Sequence, residues 1–210
     1  MKSLRIVLLS ACLAAASGAS AAAYDDLINA ANIGDAAKVA NFIDRGLDAN
    51  SVDTRGETLL IIAARNGYGD LVKALVARRA RLEAVNAVGE TALAVAAFNG
   101  HTAVVEQLLA AGANPVNTQG WSALHYAAMQ GHAPVLRALI ARGAPVDAPA
   151  PNGATALMLA ARANVESVKV LLAARADARI RGRDNESALD WAVKAGNTDA
   201  AAMIRAAMGQ

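Results

Sequence analysis

The apolar positions between Gly120 and Ala144 form two short runs at helical spacing. The apolar face of the first run consists of Leu124, Ala127 and Ala128. The apolar face of the second run consists of Val135, Leu136, Leu139 and Ile140. Gly131 follows the first run and Gly143 follows the second, and glycine adopts the left-handed conformation of a helix end at low cost. With Ser122 as the cap of the first helix, the pattern predicts two short helices and two turns.

This pattern repeats along the chain. A single pair of short helices cannot bury its own apolar face, so it needs copies of itself on both sides. The triplet that begins the pattern recurs at residues 56–58, 89–91, 120–122, 153–155 and 185–187, at intervals of 33, 31, 33 and 32 residues. The period predicts an all-α fold, a solenoid of stacked helix-turn-helix units.

Motif residues stand at fixed offsets within each unit, most fully as Ser122-Ala123-Leu124-His125 followed by Gly131-His132. In these residues the chain resembles ankyrin-repeat proteins of the exported bacterial type. The proline of that family's motif is replaced in every unit, by Leu59, Ala92, Ala123, Ala156 and Ala188. The resemblance implies an ankyrin-repeat solenoid in which hairpin-like fingers connect the helix pairs. About six repeats then share one domain over 24–210, at 24–52 (N-terminal cap), 53–85, 86–116, 117–149, 150–181 and 182–210 (C-terminal cap).

One finger differs in length from the others. The finger that begins at Ala113 is two residues shorter than its neighbours. We expect this difference to leave a notch in the row of finger tips near the middle of the array.

The first residues have the features of a secretory signal peptide. Two basic residues precede an apolar run over 6–16, and small residues then offer a peptidase site between Ala21 and Ala23. The run is shorter than the roughly 20 apolar residues that cross a bilayer. We therefore expect residues 1–23 to be removed and the mature protein to be periplasmic or secreted. The segment that ends at Cys12 also matches the sequence before a lipid-modified cysteine, so a lipid anchor there stays an alternative.

Composition and charge narrow the classes of partner. With 55% hydrophobic but only 3% aromatic residues, the core must consist mainly of alanine, leucine and valine, which suits closely stacked helices. The formal charge of +2 equals the contribution of Lys2 and Arg5 in the leader, so the remaining chain is balanced. A balanced chain has no overall electrostatic attraction for nucleic acid or an anionic membrane, and we expect neither as a partner.

The sequence contains no recognisable catalytic or metal-binding constellation. His101 and His132 occupy the same offset in successive units, and the resemblance implies that these and His125 bond to loops and backbone. The glycines are spaced by the repeat and form no phosphate-binding loop. The carboxylates that recur at one offset, which we expect along a solvated surface, are Glu57, Glu90 and Glu186. We expect no cofactor, no metal and no enzymatic activity.

Partner binding is the remaining role. In ankyrin-repeat proteins the partner is usually held by the finger tips and by the exposed side of the first helices. The resemblance carries this concave surface to the matching positions here. The candidate partner-binding residues are Arg65, Asn66, Phe98, Asn99, Gln119, Trp121, Met129, Gln130 and Arg162.

Three of these candidates are large and apolar. Phe98, Trp121 and Met129 stand at offsets that helix stacking does not require to be apolar, in adjacent units. Large apolar side chains beside arginine and amides are typical of an interface centre, so the pattern predicts a binding hot spot. The alternative is that Phe98 and Trp121 cover neighbouring loops. Tyr126 and Trp191 share the offset of three aliphatic residues in other units, and we interpret both as core.

These observations favour a monomeric interaction protein over other classes. We expect a scaffold in the periplasm that binds another protein through its concave face. One alternative is a tight-binding inhibitor, such as an immunity protein against a periplasmic toxin. A second is an enzyme on an unusual scaffold. The sequence does not identify the partner, because a fold sets the shape of a surface and not what it meets.

Overall fold

The computed structural model describes residues 21–117 and 120–209. Within those residues it contains twelve α-helices and no β-strand. The helices are α1 Ala21–Asn32, α2 Ala36–Asp44, α3 Leu59–Asn66, α4 Gly69–Ala77, α5 Ala92–Phe98, α6 Thr102–Ala110, α7 Ala123–Gln130, α8 Ala133–Ala141, α9 Ala156–Ala163, α10 Val165–Ala173, α11 Ala188–Lys194 and α12 Thr198–Met208. They form six antiparallel pairs, which confirms the predicted all-α solenoid of helix-turn-helix units. Most of the expected signal peptide lies outside the described residues, but residues 21–23 belong to the first turn of α1.

A hydroxyl group caps the first helix of every pair from the second repeat onward. We call the first helix of each pair the inner helix and the second the outer helix. Each capping oxygen accepts a hydrogen bond from the amide three residues later, at 3.2–3.4 Å. The capping residues are Thr58, Thr91, Ser122, Thr155 and Ser187. Each cap satisfies a backbone amide that has no partner inside the helix. The inner helices therefore begin at these positions without the proline of the family motif.

The core runs continuously along the stack. Each helix packs against its partner and against the corresponding helices of the adjacent repeats. The inner helices bury pairs of alanines at every internal repeat, and the outer helices bury leucine and valine. The buried alanine pairs are Ala63-Ala64, Ala96-Ala97, Ala127-Ala128 and Ala160-Ala161. Small side chains let the inner helices approach closely, and the stack buries faces that a single pair would expose.

In repeats two, three, four and six, a side chain at the turn between the inner and outer helices joins the repeat to the one before it. The residue just before the outer helix bonds to a carbonyl near the end of the preceding inner helix. These bonds join Tyr68 Oη to Asn32 O (3.2 Å), His101 Nε2 to Arg65 O (2.9 Å), His132 Nε2 to Phe98 O (2.9 Å) and Asn197 Nδ2 to Ala161 O (3.1 Å). They satisfy carbonyls at the helix ends that have no partner within the helix.

A turn glycine makes room for each of these histidines. Gly100 has a φ of +77°, and a Cβ atom on it would lie 2.7 Å from Nδ1 of His132. Gly67 stands in the same relation to His101, also at 2.7 Å. Glycine is therefore needed at this position for two reasons. The backbone is left-handed, and the histidine ring leaves no room for a Cβ atom.

The fifth repeat lacks this glycine. Asn164 is the only residue between α9 and α10, and its φ of −158° is extended. It ends α9 with a backbone bond to Ala160 and caps α10 by accepting a bond from the Ser167 amide at 3.1 Å. One residue thus replaces the longer turn of the other repeats, which explains the interval of 32 residues between Gly153 and Asn185.

The fingers are closed by isolated β-bridges, which join Val52 to Thr58, Val85 to Thr91, Val116 to Ser122 and Arg181 to Ser187. Each bridge encloses a segment of the same length, including the one in the short finger. The two missing residues therefore lie at the base of that finger, between α6 and Val116. The tip of this finger includes residues 118 and 119, which lie outside the described residues, so the expected notch in the row of tips stays a prediction.

The bases of the fingers form a second ladder between repeats. A backbone amide of one finger donates to a side chain of the preceding finger, from Arg81 to Asn50 (2.8 Å), from Asn114 to Glu83 (2.8 Å) and from Asp177 to Asp147 (3.0 Å). In the short finger the residue two positions before the bridge is Asn114, and its Oδ1 accepts a hydrogen bond from the Val116 amide at 3.0 Å. In the next finger the donor position is Pro145, which has no N–H group. The ladder is therefore interrupted between these two fingers.

Candidate functional site

A line of side chains follows the array where the fingers meet the inner helices. In repeats two to six it consists of the residue just before the helix cap and the residue eight positions later. The pairs, which we call the strip, are Glu57/Arg65, Glu90/Phe98, Trp121/Met129, Ala154/Arg162 and Glu186/Lys194. In the second and sixth repeats the two members form an ion pair. The two positions of a pair therefore face the same point of the surface.

Trp121 is fixed on the strip by the finger that precedes it. Asn117 Oδ1 accepts a hydrogen bond from the Trp121 amide at 2.9 Å, and the Asn117 amide donates to the Trp121 carbonyl at 2.9 Å. The next residue, Ser122, is both bridged to Val116 and the cap of α7. The backbone of Trp121 is thus held from both sides, so its side chain has a defined position.

Four rings meet at this point and form what we call the aromatic cluster, Phe98, Trp121, His125 and Tyr126. The Trp121 ring centroid lies 5.8 Å from that of His125 and 5.9 Å from that of Tyr126. Phe98, from the preceding repeat, meets Tyr126 edge to face at 6.4 Å. Such edge contacts are favourable for aromatic pairs. Phe98 is 37% exposed, while Trp121 and Tyr126 are half-buried, so the cluster presents apolar surface to solvent.

Tyr126 adds a polar end to the cluster. Its hydroxyl accepts a hydrogen bond from Asn117 Nδ2 at 3.4 Å. Burial raises the pKa of the Tyr126 phenol above its usual value, and the carboxylate of Glu90 raises it further. The ring therefore stays neutral with an amphipathic tip, which is common for tyrosine at interfaces.

His125 is the buried member of the aromatic cluster. It is 2% exposed, its Nδ1 accepts from the Ser122 amide at 3.1 Å, and its Nε2 lies 2.9 Å from the Ala148 carbonyl. Because Nδ1 accepts and Nε2 donates, the ring is neutral. Burial lowers the pKa of His125, against the smaller opposite effect of the bond to Ala148.

Acidification should therefore destabilise the protein through His125. The folded-state pKa lies below the unfolded value of about 6.5, so the unfolded chain binds the extra proton first. The stability provided by neutral His125 is fully present above the unfolded pKa and falls as the pH drops towards the folded pKa. Between about pH 7.5 and about pH 5.5 we expect the wild type to lose up to about 1 kcal/mol more free energy of unfolding than His125→Asn.

Urea unfolding of both proteins at the two pH values measures this difference. The variant keeps the other two histidines, so their contribution to the pH dependence is common to both proteins. Equal losses of unfolding free energy in wild type and variant would contradict the assignment.

The structure gives the remaining candidate residues different surroundings. Arg65 lies on the strip, but its Nε donates to Glu57 Oε2 at 3.2 Å. The side-chain amides of Asn66 and Asn99 are exposed, and each donates to the carbonyl four residues earlier in its own helix, at 2.9 and 2.8 Å. The other described candidates are Met129, which packs against the core, exposed Gln130, and exposed Arg162. Gln119 lies outside the described residues.

Three residues differ from the sequence-based interpretation. Tyr126 and Trp191 are half-buried and not part of the closed core, because their rings are longer than the aliphatic side chains at the same offset. Glu57, expected on a solvated surface, is 7% exposed and enclosed by its bonds to Arg65. The signal that sequence reasoning missed is the spacing of eight residues between Glu57 and Arg65, which recurs between Glu186 and Lys194.

A cation–π contact joins the fifth and sixth repeats at one end of the strip. The guanidinium of Arg162 lies 5.5 Å from the Trp191 ring centroid, over the ring face. Beside it a cleft of about 360 Å³ is lined by Asp184, Glu186 and Lys194 as well. Lys194 is paired with Glu186, so the charges of these two residues cancel locally.

The three histidines bond to backbone carbonyls, as the resemblance implied. Residues 21–117 and 120–209 contain no group of three histidine, cysteine or carboxylate side chains placed to hold a metal ion. None of the helices in that part of the chain has the length and hydropathy needed to cross a membrane.

The helix pairs, caps, fingers and exposed strip together define a helical-repeat protein with a surface suited to binding. A family model for three ankyrin repeats matches residues 27–119, 68–150 and 124–208, which together cover most of the chain. The protein therefore belongs to the ankyrin-repeat family, whose repeats mediate protein–protein interaction. A comparison with curated proteins gave no significant match.

Proposed function

We propose that this protein is a non-enzymatic scaffold of the periplasm that binds a partner protein through the aromatic cluster and the adjoining strip. The export part of the proposal rests on the basic start, the apolar run and the small residues of segment 1–23. The binding part rests on the geometry of Phe98, Trp121 and Tyr126.

The observation that carries the proposal is the contrast between repeats. At the strip positions of the second and sixth repeats, opposite charges close on each other as Glu57–Arg65 and Glu186–Lys194. At the same positions of the third and fourth repeats, Phe98 and Trp121 present partly exposed rings. Partly exposed aromatic side chains among polar neighbours carry much of the binding energy at protein interfaces.

Export and processing can be tested on the whole chain. The protein, with an affinity tag at its C-terminus, is produced in a Gram-negative host and the periplasmic fraction is isolated. We expect the tagged protein in that fraction, with an intact mass that corresponds to cleavage between Ala21 and Ala23. A mass that corresponds to lipidated Cys12 would replace cleavage with anchoring, and retention of residues 1–23 in the cytoplasm would contradict export.

Partner binding is tested by affinity capture from a periplasmic extract of the natural producer, followed by mass spectrometry. A scaffold should return an envelope protein or a periplasmic enzyme. Capture of one stoichiometric toxin-like protein would indicate the inhibitor function instead. Turnover of small molecules by the purified protein would contradict a non-enzymatic role.

A further inference from the structure

The strip changes in charge from one end to the other. In the third repeat Glu90 shares its position pair with Phe98, so it has no basic counterpart eight residues later. In the fifth repeat Arg162 shares its pair with Ala154 and has no acidic counterpart. The fourth repeat, between them, carries Trp121 and Met129. An acidic side chain, an apolar centre and a basic side chain thus follow one another in chain order.

The acidic end lies next to the aromatic cluster. Glu90 is half-buried, and its Oε2 accepts a hydrogen bond from Asn86 Nδ2 at 2.9 Å. Glu90 and Phe98 are the two members of one strip pair, so the carboxylate lies on the same part of the surface as the exposed Phe98 ring. In the described part of the chain no lysine or arginine forms an ion pair with Glu90. Glu57 and Glu186, at the same offset, are both paired.

The basic end lies at the opposite side of the cluster. Arg162 is exposed and stacked over Trp191, which holds the guanidinium in place and leaves its N–H groups available. Asp184 and Glu186 line the same cleft, but neither forms an ion pair with Arg162 among residues 120–209. Glu186 is occupied by Lys194, and Asp184 Oδ1 accepts a hydrogen bond from the Glu186 amide at 3.1 Å.

We infer that the strip binds an extended partner segment with a basic side chain at one end, apolar side chains in the middle and an acidic side chain at the other end. The basic group meets Glu90, the apolar groups meet the aromatic cluster and Met129, and the acidic group meets Arg162. This inference rests on the proposed function, because it uses the same strip. Complementary charges fix the register of a partner and reject segments that carry a like charge at either end.

The spacing of the two charges follows from the stack. Packed helices lie about 8–10 Å apart, so positions two repeats apart are separated by about 20 Å. An extended chain rises about 3.3 Å per residue, so the two charged side chains of the partner should be about six residues apart.

Three synthetic peptides with blocked ends test this inference. They share one centre of leucine, tryptophan and serine, and they carry Lys and Glu, Lys and Lys, or Glu and Glu at the two charged positions. Binding to the mature protein is measured by fluorescence anisotropy. The wild type should prefer the Lys/Glu peptide by about tenfold over both others, whichever direction the peptide takes.

Charge reversal should change the preferred peptide in a defined way. Glu90→Lys should bind the Glu/Glu peptide best, and Arg162→Glu should bind the Lys/Lys peptide best. Arg142→Glu, an exposed reversal after the outer helix α8, is the matched control and should keep the wild-type preference. Circular dichroism of each variant verifies the fold.

The outcomes separate this inference from the proposed function. If Trp121→Ala weakens all three peptides alike while the charge variants leave their order unchanged, the charge assignment is overturned and the strip stands. If Trp121→Ala leaves all three affinities unchanged, the strip itself is overturned. If no peptide binds the wild type at about 1 mM, an extended partner segment is overturned, and capture of a folded partner tests the strip independently.

Discussion

Replacing Trp121 with alanine should weaken binding of the captured partner by about 30-fold or more, because truncation of a hot-spot aromatic costs about 2 kcal/mol or more. The ring contacts His125 and Tyr126 and also offers surface to solvent, so its loss removes contacts on both sides. Isothermal titration calorimetry of the folded variant measures the change in binding, and urea unfolding measures the change in stability.

Phe42→Ala is the matched control for that experiment. Phe42 is also a half-buried aromatic residue packed against the core, but it lies on the outer helix α2, away from the strip. We expect a stability loss of about 1–3 kcal/mol in both variants and a loss of affinity only in Trp121→Ala. A Trp121→Ala variant that unfolds more readily, yet binds with unchanged affinity once folded, would reduce Trp121 to a cover for the neighbouring finger.

Gly100→Ala should destabilise the array by about 2–3 kcal/mol, the sum of two costs. The first is the left-handed φ, which costs an L-residue about 1–2 kcal/mol. The second is the displacement of His132, whose ring would lie 2.7 Å from the new methyl group and would lose its bond to the Phe98 carbonyl. A lost hydrogen bond costs about 1 kcal/mol.

Gly112→Ala and a double-mutant cycle separate these two costs. Gly112 has a φ of +90° and nothing within 4 Å of its Cβ position, so alanine there should cost only the conformational amount, about 1–2 kcal/mol. In a His132→Ala background, Gly100→Ala should fall to the same level, because the ring is gone. An undiminished cost in that background would contradict the stacking role assigned to Gly100.

The repeated architecture could be predicted because each unit shows the same local chemistry. Ser122 was recognisable as a cap and Gly131 as a helix end from the sequence alone, and both take these roles. The sequence shows that the finger is two residues shorter. The length alone does not show whether these residues are missing from its tip or from its base. The sequence also did not predict that Asn164 both ends α9 and caps α10, because no glycine marks this turn.

The candidate surface was predictable in outline only. Phe98 and Trp121 were identified from their offsets, and the structure brings both to Tyr126. Tyr126 was assigned to the core because an offset records where a side chain starts and not how far it extends. The burial of Glu57 could not be predicted from a helical wheel. Glu57 precedes the helix cap, whereas its partner Arg65 lies in the last turn of the helix.

Each helix packs mainly against its partner and against the corresponding helices of the adjacent repeats, so distances along the strip are set in steps of one repeat. The separation of Glu90 from Arg162 depends on how many units lie between them, since the inner helices of their repeats both pack against α7 of the intervening repeat. Duplication or loss of a single unit by recombination would therefore lengthen or shorten this distance by one step. A change in the number of repeats would therefore change which partner segments fit, while Glu90 and Arg162 themselves stay unchanged.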